Sequence, residues 1–343
     1  MRAAVIHSHG SRDVLQIDEI DEPICSPNQV KVNIKSSSIN HLDIWVRKGI
    51  PGISIPLPMI LGSDGAGIIS EVGKNVKAIE VGDKVVIQPG TYSSECNMVK
   101  KGLENLSPTY GILGETEAGV QSEYVTLNPE NVYPMPNNLS FEEASSMQLV
   151  FMTAYQMLIK RANLKKNETV LIYGGASGVG TAAIQIAKNM GCHVITTVGS
   201  KDKFDHVFKF GADYALNHSD SDWHRGLKDI LKNNQIDVVF EHVGAATWDI
   251  SMRILGRGGR IVTCGATTGY DVNIDLRYLF SKQQSILGST MSDMDTFKKV
   301  QDKIQNGIYV PFVDKVYSFA DIRHAHSQIE NRKNIGKVVL SID

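Results

Sequence analysis

The sequence is short of most features that would tie it to a membrane, an export route or a nucleic acid. Its 343 residues contain no apolar run near the ~18 needed to cross a bilayer. The opening Met1-Arg2-Ala3-Ala4-Val5-Ile6 turns polar too early for a secretory leader and reads as a first strand, so a cytoplasmic location is expected. Net charge is only −2, and no basic tract interleaved with aromatics is present, which argues against nucleic acid or a membrane surface as partner. There are four cysteines, Cys25, Cys96, Cys192 and Cys264, none in CxxC spacing. A disulfide framework is thereby disfavoured, and free thiols in a reducing compartment are the expectation. Repeats and low-complexity tracts are absent. What remains is 42% hydrophobic and 21% charged, an ordinary globular composition long enough for two domains.

The first part of the chain reads as β-rich. Val30, Val32 and Ile34 alternate with Lys31, Asn33 and Lys35, the period of a half-buried strand. The stretch Gly62 to Val86 is dense in glycine and valine, with Gly73 and Gly82 expected at positive φ. Near residue 150 the pattern changes. Short apolar runs at Thr169–Tyr173, His193–Val198, Ile236–Phe240 and Arg260–Cys264 alternate with helical stretches, including one that Gly191 should end. Such alternation predicts a doubly wound parallel sheet. The tail from about residue 291 is mixed again and closes on a strand at Gly336–Leu340. The α/β reading is therefore a β-rich domain at 1–150 and 291–343 around a nucleotide-type domain at 151–290.

Between the first apolar run and its helix lies Gly174-Gly175-Ala176-Ser177-Gly178-Val179-Gly180. Small residues there let a backbone approach a diphosphate at a helix N-terminus, where free N–H groups and the dipole favour negative charge. Gly175, Ser177, Gly178, Val179 and Gly180 are thus the predicted dinucleotide cradle. At the end of the second strand an NAD site places an acid against the ribose 2′-hydroxyl. Val198 stands there instead, with Ser200 and Lys203 close behind, a set that tolerates a 2′-phosphate. NADPH is the predicted cofactor, NADH the less favoured one.

The run Ile60-Leu61-Gly62-Ser63-Asp64-Gly65-Ala66-Gly67, with Glu71-Val72-Gly73, Val81-Gly82-Asp83-Lys84-Val85, Asn40-x-x-Asp43 and Gly178-Val179-Gly180, resembles the medium-chain dehydrogenase/reductase superfamily along essentially the whole chain. The resemblance implies a GroES-like β-rich catalytic domain, a Rossmann domain, and a cleft between them. It is to the zinc-free quinone oxidoreductase-like branch. Where zinc-dependent members carry metal ligands, this chain has Asn40, Ser63 and about Leu149, and an amide, a hydroxyl and an alkyl group do not hold Zn²⁺. The structural zinc lobe is similarly emptied, its cysteine positions reading Ser93, Cys96, Val99 and Ser107. No zinc is expected.

By the same resemblance Thr153, Cys264, Gly265, Leu287 and Ser289 would line the nicotinamide, His41 and Lys337 would contact the cofactor, and His218 replaces a tyrosine found near the adenine phosphate in many relatives. Asn40 is the predicted hydrogen-bond donor to substrate, Asp43 would orient its loop, and Ser63 is a second donor. Trp45 offers a flat surface for a planar substrate or simply packs. Arg47, Lys48, Lys100 and Lys101 are available to a thioester's phosphates. Without a Lewis acid, hydride must go to an acceptor that is already electrophilic: a quinone, an enone or enal, or a 2-enoyl thioester such as acryloyl-CoA. Two other readings stand beside this one, an alcohol dehydrogenase-like enzyme acting on alcohols or aldehydes and a non-enzymatic NADPH-binding protein. The partner is expected to be a small molecule, and the resemblance implies a homodimer or homotetramer formed through the edge of the nucleotide-domain sheet, here Gln284–Leu287, an apolar edge that favours pairing.

Overall fold

A computed structural model describes residues 1–232 and 234–342. The chain splits into two compact units, Met1–Leu149 with Asp293–Asp343, and Val150–Ser292.

In the first unit the alternation at Val30–Ile39 does what its period demands. Val30, Val32 and Ile34 are fully buried while Lys31, Asn33 and Lys35 are partly exposed. This long strand is the centre of a sheet, pairing antiparallel with Asp64–Val72, with Tyr124–Leu127 and with Lys337–Ser341. The last pairing brings Lys337–Ser341 beside the strand at Val30–Ile39, so that Val338 and Leu340 join Val32, Ile34 and Ile69 in one apolar core. The helix His41–Lys48 follows the central strand directly and starts at Asn40. Gly82 has φ +98°, as expected of a tight turn. Gly73 does not have positive φ. It is required for another reason: a Cβ there would lie 2.3 Å from the Ser26 carbonyl oxygen.

The second unit carries, among the described residues, a six-stranded parallel sheet. Its elements in chain order are β1 (Thr169–Ile172), α1 (Gly178–Asn189), β2 (His193–Val198), β3 (Tyr214–Asn217), β4 (Ile236–Glu241), α2 (Ala245–Ile254), β5 (Leu255–Thr263) and β6 (Ser285–Gly288). Their spatial order is β3-β2-β1-β4-β5-β6, all pairs parallel. This is the doubly wound Rossmann order, whose direction of winding reverses between β1 and β4. All four residues of β1 are buried, as the continuous apolar run requires of a strand covered on both faces. Gly191, at φ +76°, ends the turn after α1. Among the described residues no helix is long and apolar enough to cross a membrane, and all four cysteines are free.

Candidate active site

The turn after β1 is shaped by what its glycines exclude. A Cβ on Gly175 would stand 2.1 Å from Thr196 Oγ1, and one on Gly180 would stand 2.3 Å from the Gly174 carbonyl oxygen. Only a bare backbone lets the turn lie that close to β2 and to itself. Ser177 caps α1, its Oγ accepting from Gly180 N at 3.1 Å. Gly178 and Val179 are partly exposed in the first turn of α1, where backbone N–H groups lack intrahelical acceptors. This is an anion cradle of the kind that holds a dinucleotide diphosphate. Two further hydroxyls in the same unit, Thr153 Oγ1 and Ser289 Oγ, are buried without a hydrogen-bond partner among the described residues. Orphaned buried hydroxyls of this sort are groups that a bound ligand would satisfy. The unit therefore fits a nicotinamide dinucleotide. Cys264, Gly265 and Leu287 are partly buried just beyond β5 and within β6.

The adenosine side is set by the ends of β2 and β3. Val198 is buried at the end of β2. Asp202 lies one residue beyond Lys201, and its carboxyl is held below the usual range first by a hydrogen bond from the Ser200 side chain. Ser200 is thus partly committed to a neighbouring acid. His218 Nδ1 lies 3.1 Å from Thr197 Oγ1, and Thr197 Oγ1 in turn accepts from Gly174 N at 3.3 Å. Thr181 Oγ1 is 2.9 Å from His206 Nε2, and burial, then Lys209 and Lys203, pushes that imidazole down to about 4.

In the first unit, Asn40, Asp64 and Lys337 form one buried polar knot. Asp64 is fully buried and Lys337 is 5% exposed. Lys337 Nζ donates to Asp64 Oδ2 at 3.1 Å and to Asn40 Oδ1. Asn40 Nδ2 donates to the same Asp64 oxygen at 2.9 Å, Ser38 Oγ donates to it at 3.1 Å, and Leu149 N donates to Oδ1 at 2.9 Å. The amide orientation of Asn40 follows from chemistry: its oxygen faces the ammonium and its nitrogen the carboxylate. Asp43 is tied to the same loop, its Oδ2 accepting from Asn40 N at 2.7 Å. Burial raises the Asp43 carboxyl to about 7, against the lowering pull of the Asn40 amide and of Lys337. Lys337 and Asp64 were not linked by any sequence pattern; a lysine among five β-residues gives no hint of an acid far upstream.

The positions that would bear a catalytic metal do not suit one. Ser63 Oγ donates to the Leu113 carbonyl at 2.8 Å, so its proton is committed and it is not the second donor expected from sequence. Leu149 contributes only its backbone amide, and the ammonium of Lys337 sits where Asn40 and Asp64 converge. Among the described residues no group of three or more His, Cys, Asp or Glu side chains is placed to hold a metal. In the lobe, Cys96 is drawn to Ser107, whose hydroxyl lowers the thiol. A polar groove of about 290 Å³ lined by Gly90, Tyr92, Glu117 and Glu130 also belongs to this unit, and Ser93 is the lone lobe position on it.

Two other expectations change. Arg47 is fully buried and bonds Glu330 at 2.6 Å, with Lys48 on the same carboxylate at 2.8 Å. Glu330 is the acid that holds Arg47 inside, while Lys48 stays 53% exposed, so Arg47 is not a surface cation for a thioester. Trp45 is partly exposed and meets His41 edge-on, ring centroids 5.0 Å apart. Sequence reasoning passed over Glu241 and His242, at the end of β4. Glu241 is fully buried and accepts from Val243 N, Gly244 N and Thr247 Oγ1 at 2.6, 3.0 and 2.8 Å. Their position at the carboxyl end of a central strand was the available signal.

Comparison with known proteins agrees with this architecture. Residues 26–137 match the family described as alcohol dehydrogenase GroES-like domain, and residues 178–306 match that described as zinc-binding dehydrogenase. A crotonyl-CoA carboxylase/reductase of Cereibacter sphaeroides is 30% identical, over 94% of this chain and 82% of its own. Quinone oxidoreductase 1 of Escherichia coli is 30% identical over 97% of each. A solved structure described as an NAD-dependent alcohol dehydrogenase superposes with a TM-score of 0.96 at 38% identity, covering all of both chains.

Proposed function

This chain belongs to the medium-chain dehydrogenase/reductase superfamily, on its quinone oxidoreductase-like branch, and is an oxidoreductase; from that premise we propose that it passes hydride from NADPH to a conjugated acceptor without a catalytic metal. The acceptor class is a quinone, an enone or enal, or a 2-enoyl thioester. The observation that carries this reading is the Asn40–Asp64–Lys337 knot, in which an internal ammonium stands among side chains unsuited to Zn²⁺. Bound NADPH would supply the hydride. The diphosphate would rest on Ser177 to Gly180, with Thr153 and Ser289 offering hydroxyls toward the nicotinamide half.

The protein's share of the chemistry is electrostatic. When hydride reaches the electron-poor carbon, charge collects on the conjugated oxygen. Among the described residues Lys337 uses two of its three N–H donors and Asn40 uses one of its two. The unused donors are of the right kind to hold that oxygen. Asp43 positions Asn40 through its backbone amide. The final proton comes from solvent.

A second reading is favoured by one comparison. The NAD-dependent alcohol dehydrogenase likeness, together with Asp202 beside Ser200, speaks for NADH and an alcohol substrate. One experiment separates the two. Oxidation of NADPH and NADH is followed against a panel of quinones, enals and enoyl thioesters, with and without chelator, beside metal analysis and alcohol oxidation. We expect NADPH-linked turnover that chelation leaves intact. Stoichiometric zinc with robust alcohol turnover would overturn the proposal.

We also propose self-association through the edge strand β6. Ile286 and Leu287 lie on it, and Leu276 and Phe280 on the preceding helix are 64% and 71% exposed. An apolar sheet edge of this sort favours a partner strand.

A further inference from the structure

His242 sits at the one place where the doubly wound sheet changes direction. It directly follows β4, and Tyr173 directly follows β1; these two strands are neighbours on either side of the reversal. In open α/β sheets that crevice, outside the carboxyl ends of the strands, is where nucleotides bind. His242 Nε2 lies 2.8 Å from the Tyr173 carbonyl oxygen. A carbonyl can only accept, so Nε2 carries the proton, and in the neutral ring Nδ1 is then a bare acceptor. Among the described residues Nδ1 has no hydrogen-bond partner, and the side chain is partly exposed. The ring also lies against the dinucleotide turn: a Cβ on Gly174, whose φ is +59°, would be 3.2 Å from His242 Cε1.

We propose that His242 is a cofactor-positioning residue, its Nδ1 accepting a hydroxyl of the ribose on the nicotinamide side of the dinucleotide. This rests on the reading that the second unit binds a nicotinamide dinucleotide. Each step follows from placement. The diphosphate belongs at the N-terminus of α1, where N–H donors are, and an acceptor such as Nδ1 repels a phosphate oxygen but suits an O–H. β1, β2 and β3 lie on the adenosine side of the reversal, while β4 opens the other half, so the hydroxyl within reach of His242 belongs to the second nucleoside. Glu241 holds the strand end still by accepting from Val243 N and Gly244 N. The ring is thereby fixed from both sides, its Nε2 committed to the protein and its Nδ1 committed to the ligand.

Two substitutions separate this role from a structural one. In His242→Gln the amide nitrogen takes the place of Nε2, keeping the bond to Tyr173 while Nδ1 is lost. In His242→Asn the amide group takes the place of Nδ1 while the Tyr173 bond is lost. Dissociation constants for NADPH and for NADH are measured by quenching of protein fluorescence on the full chain, with thermal unfolding recorded for each variant. His242→Gln is expected to weaken both cofactors about tenfold, their ratio unchanged, because one hydrogen bond to a group common to both is removed. His242→Asn should bind within about twofold of the parent. A third arm needs no variant: an NADPH analogue lacking the nicotinamide-ribose hydroxyls should bind the parent protein about tenfold more weakly than NADPH. Parent-like binding by His242→Gln, a loss in His242→Asn, a loss confined to NADPH, or an analogue that binds as NADPH does would each overturn the assignment. If the parent bound neither cofactor, the broader reading of the second unit would fail instead.

Discussion

Replacing Lys337 by methionine removes the cation that, among the described residues, pairs with a fully buried carboxylate. Asp64 is fully buried, and Lys337 Nζ is 3.1 Å from its Oδ2. Breaking a buried pair by deleting one partner typically costs about 3–5 kcal/mol, because the remaining charge is left uncompensated. Here the orphaned carboxylate keeps three donors, from Ser38, Asn40 and Leu149. Those bonds place the expected loss at the lower end, about 3 kcal/mol. Asp64→Asn in the same chain removes the stranded charge, so the double variant should recover most of that loss. The assay is urea unfolding followed by Trp45 in a background where Trp223 and Trp248 are phenylalanine, since Trp45 is the tryptophan of the first unit. A full double-mutant cycle isolates the coupling from the separate costs of each change. If Lys337→Met cost under about 1 kcal/mol, or if Asp64→Asn added to the loss, the pair would not be the buried ion pair described, since surface pairs are what behave that way. Activity gives an independent readout: kcat toward an enone should fall at least tenfold with the Lys337 donor gone, the size of one oxyanion-stabilising hydrogen bond or less.

Three shorter tests bear on other parts of the molecule. Asp43 titrates at about 7 when folded against 3.8 in its ordinary state, so the folded chain holds this proton longer. Its contribution to stability is complete below pH 3.8 and is lost as pH rises toward about 7, up to on the order of 4 kcal/mol. Asp43→Asn keeps an acceptor for the Asn40 amide and cannot ionise, so stability measured from pH 4 to 7 should fall less with pH in the variant than in the parent. Gly180→Ala places a methyl 2.3 Å from the Gly174 carbonyl oxygen, and titration should show cofactor affinity reduced at least tenfold, with wild-type affinity refuting the cradle. Phe280→Asp puts a charge on a side chain that is 71% exposed beside β6, and sedimentation should show a shift toward monomer.

Features with local causes were legible in the sequence. The strand at Val30–Ile39 follows from alternation, and the turn at Gly174–Gly180 from small residues between an apolar run and a helix. What escaped depends on partners far along the chain. Lys337 and Asp64 are separated by 273 residues, and Arg47 and Glu330 by 283. No window contains both members of either pair, so the Lys337–Asp64 pairing went unseen and Arg47 read as a surface cation. Gly73 shows a related limit. Its glycine was legible, but the reason, close approach of the Ser26 carbonyl rather than positive φ, is a tertiary fact. Ser63 was misread as a donor for the same kind of reason, since the Leu113 carbonyl that takes its proton lies 50 residues away.

The ammonium of Lys337 and a catalytic dication are alternatives rather than companions. At about 4 Å and an effective dielectric constant near 20, two unit charges interact by about 4 kcal/mol, so a dication beside an ammonium would be opposed by roughly twice that. The carboxylate of Asp64 cannot offset both, because a single charge already balances Lys337. Alcohol oxidation by a metal at this place would require Lys337 to leave a pocket in which it is 5% exposed and doubly hydrogen-bonded. The proposed reduction of a conjugated acceptor places no dication beside that ammonium, so this opposition does not arise. The position of Lys337 thus supports the metal-free reading proposed above.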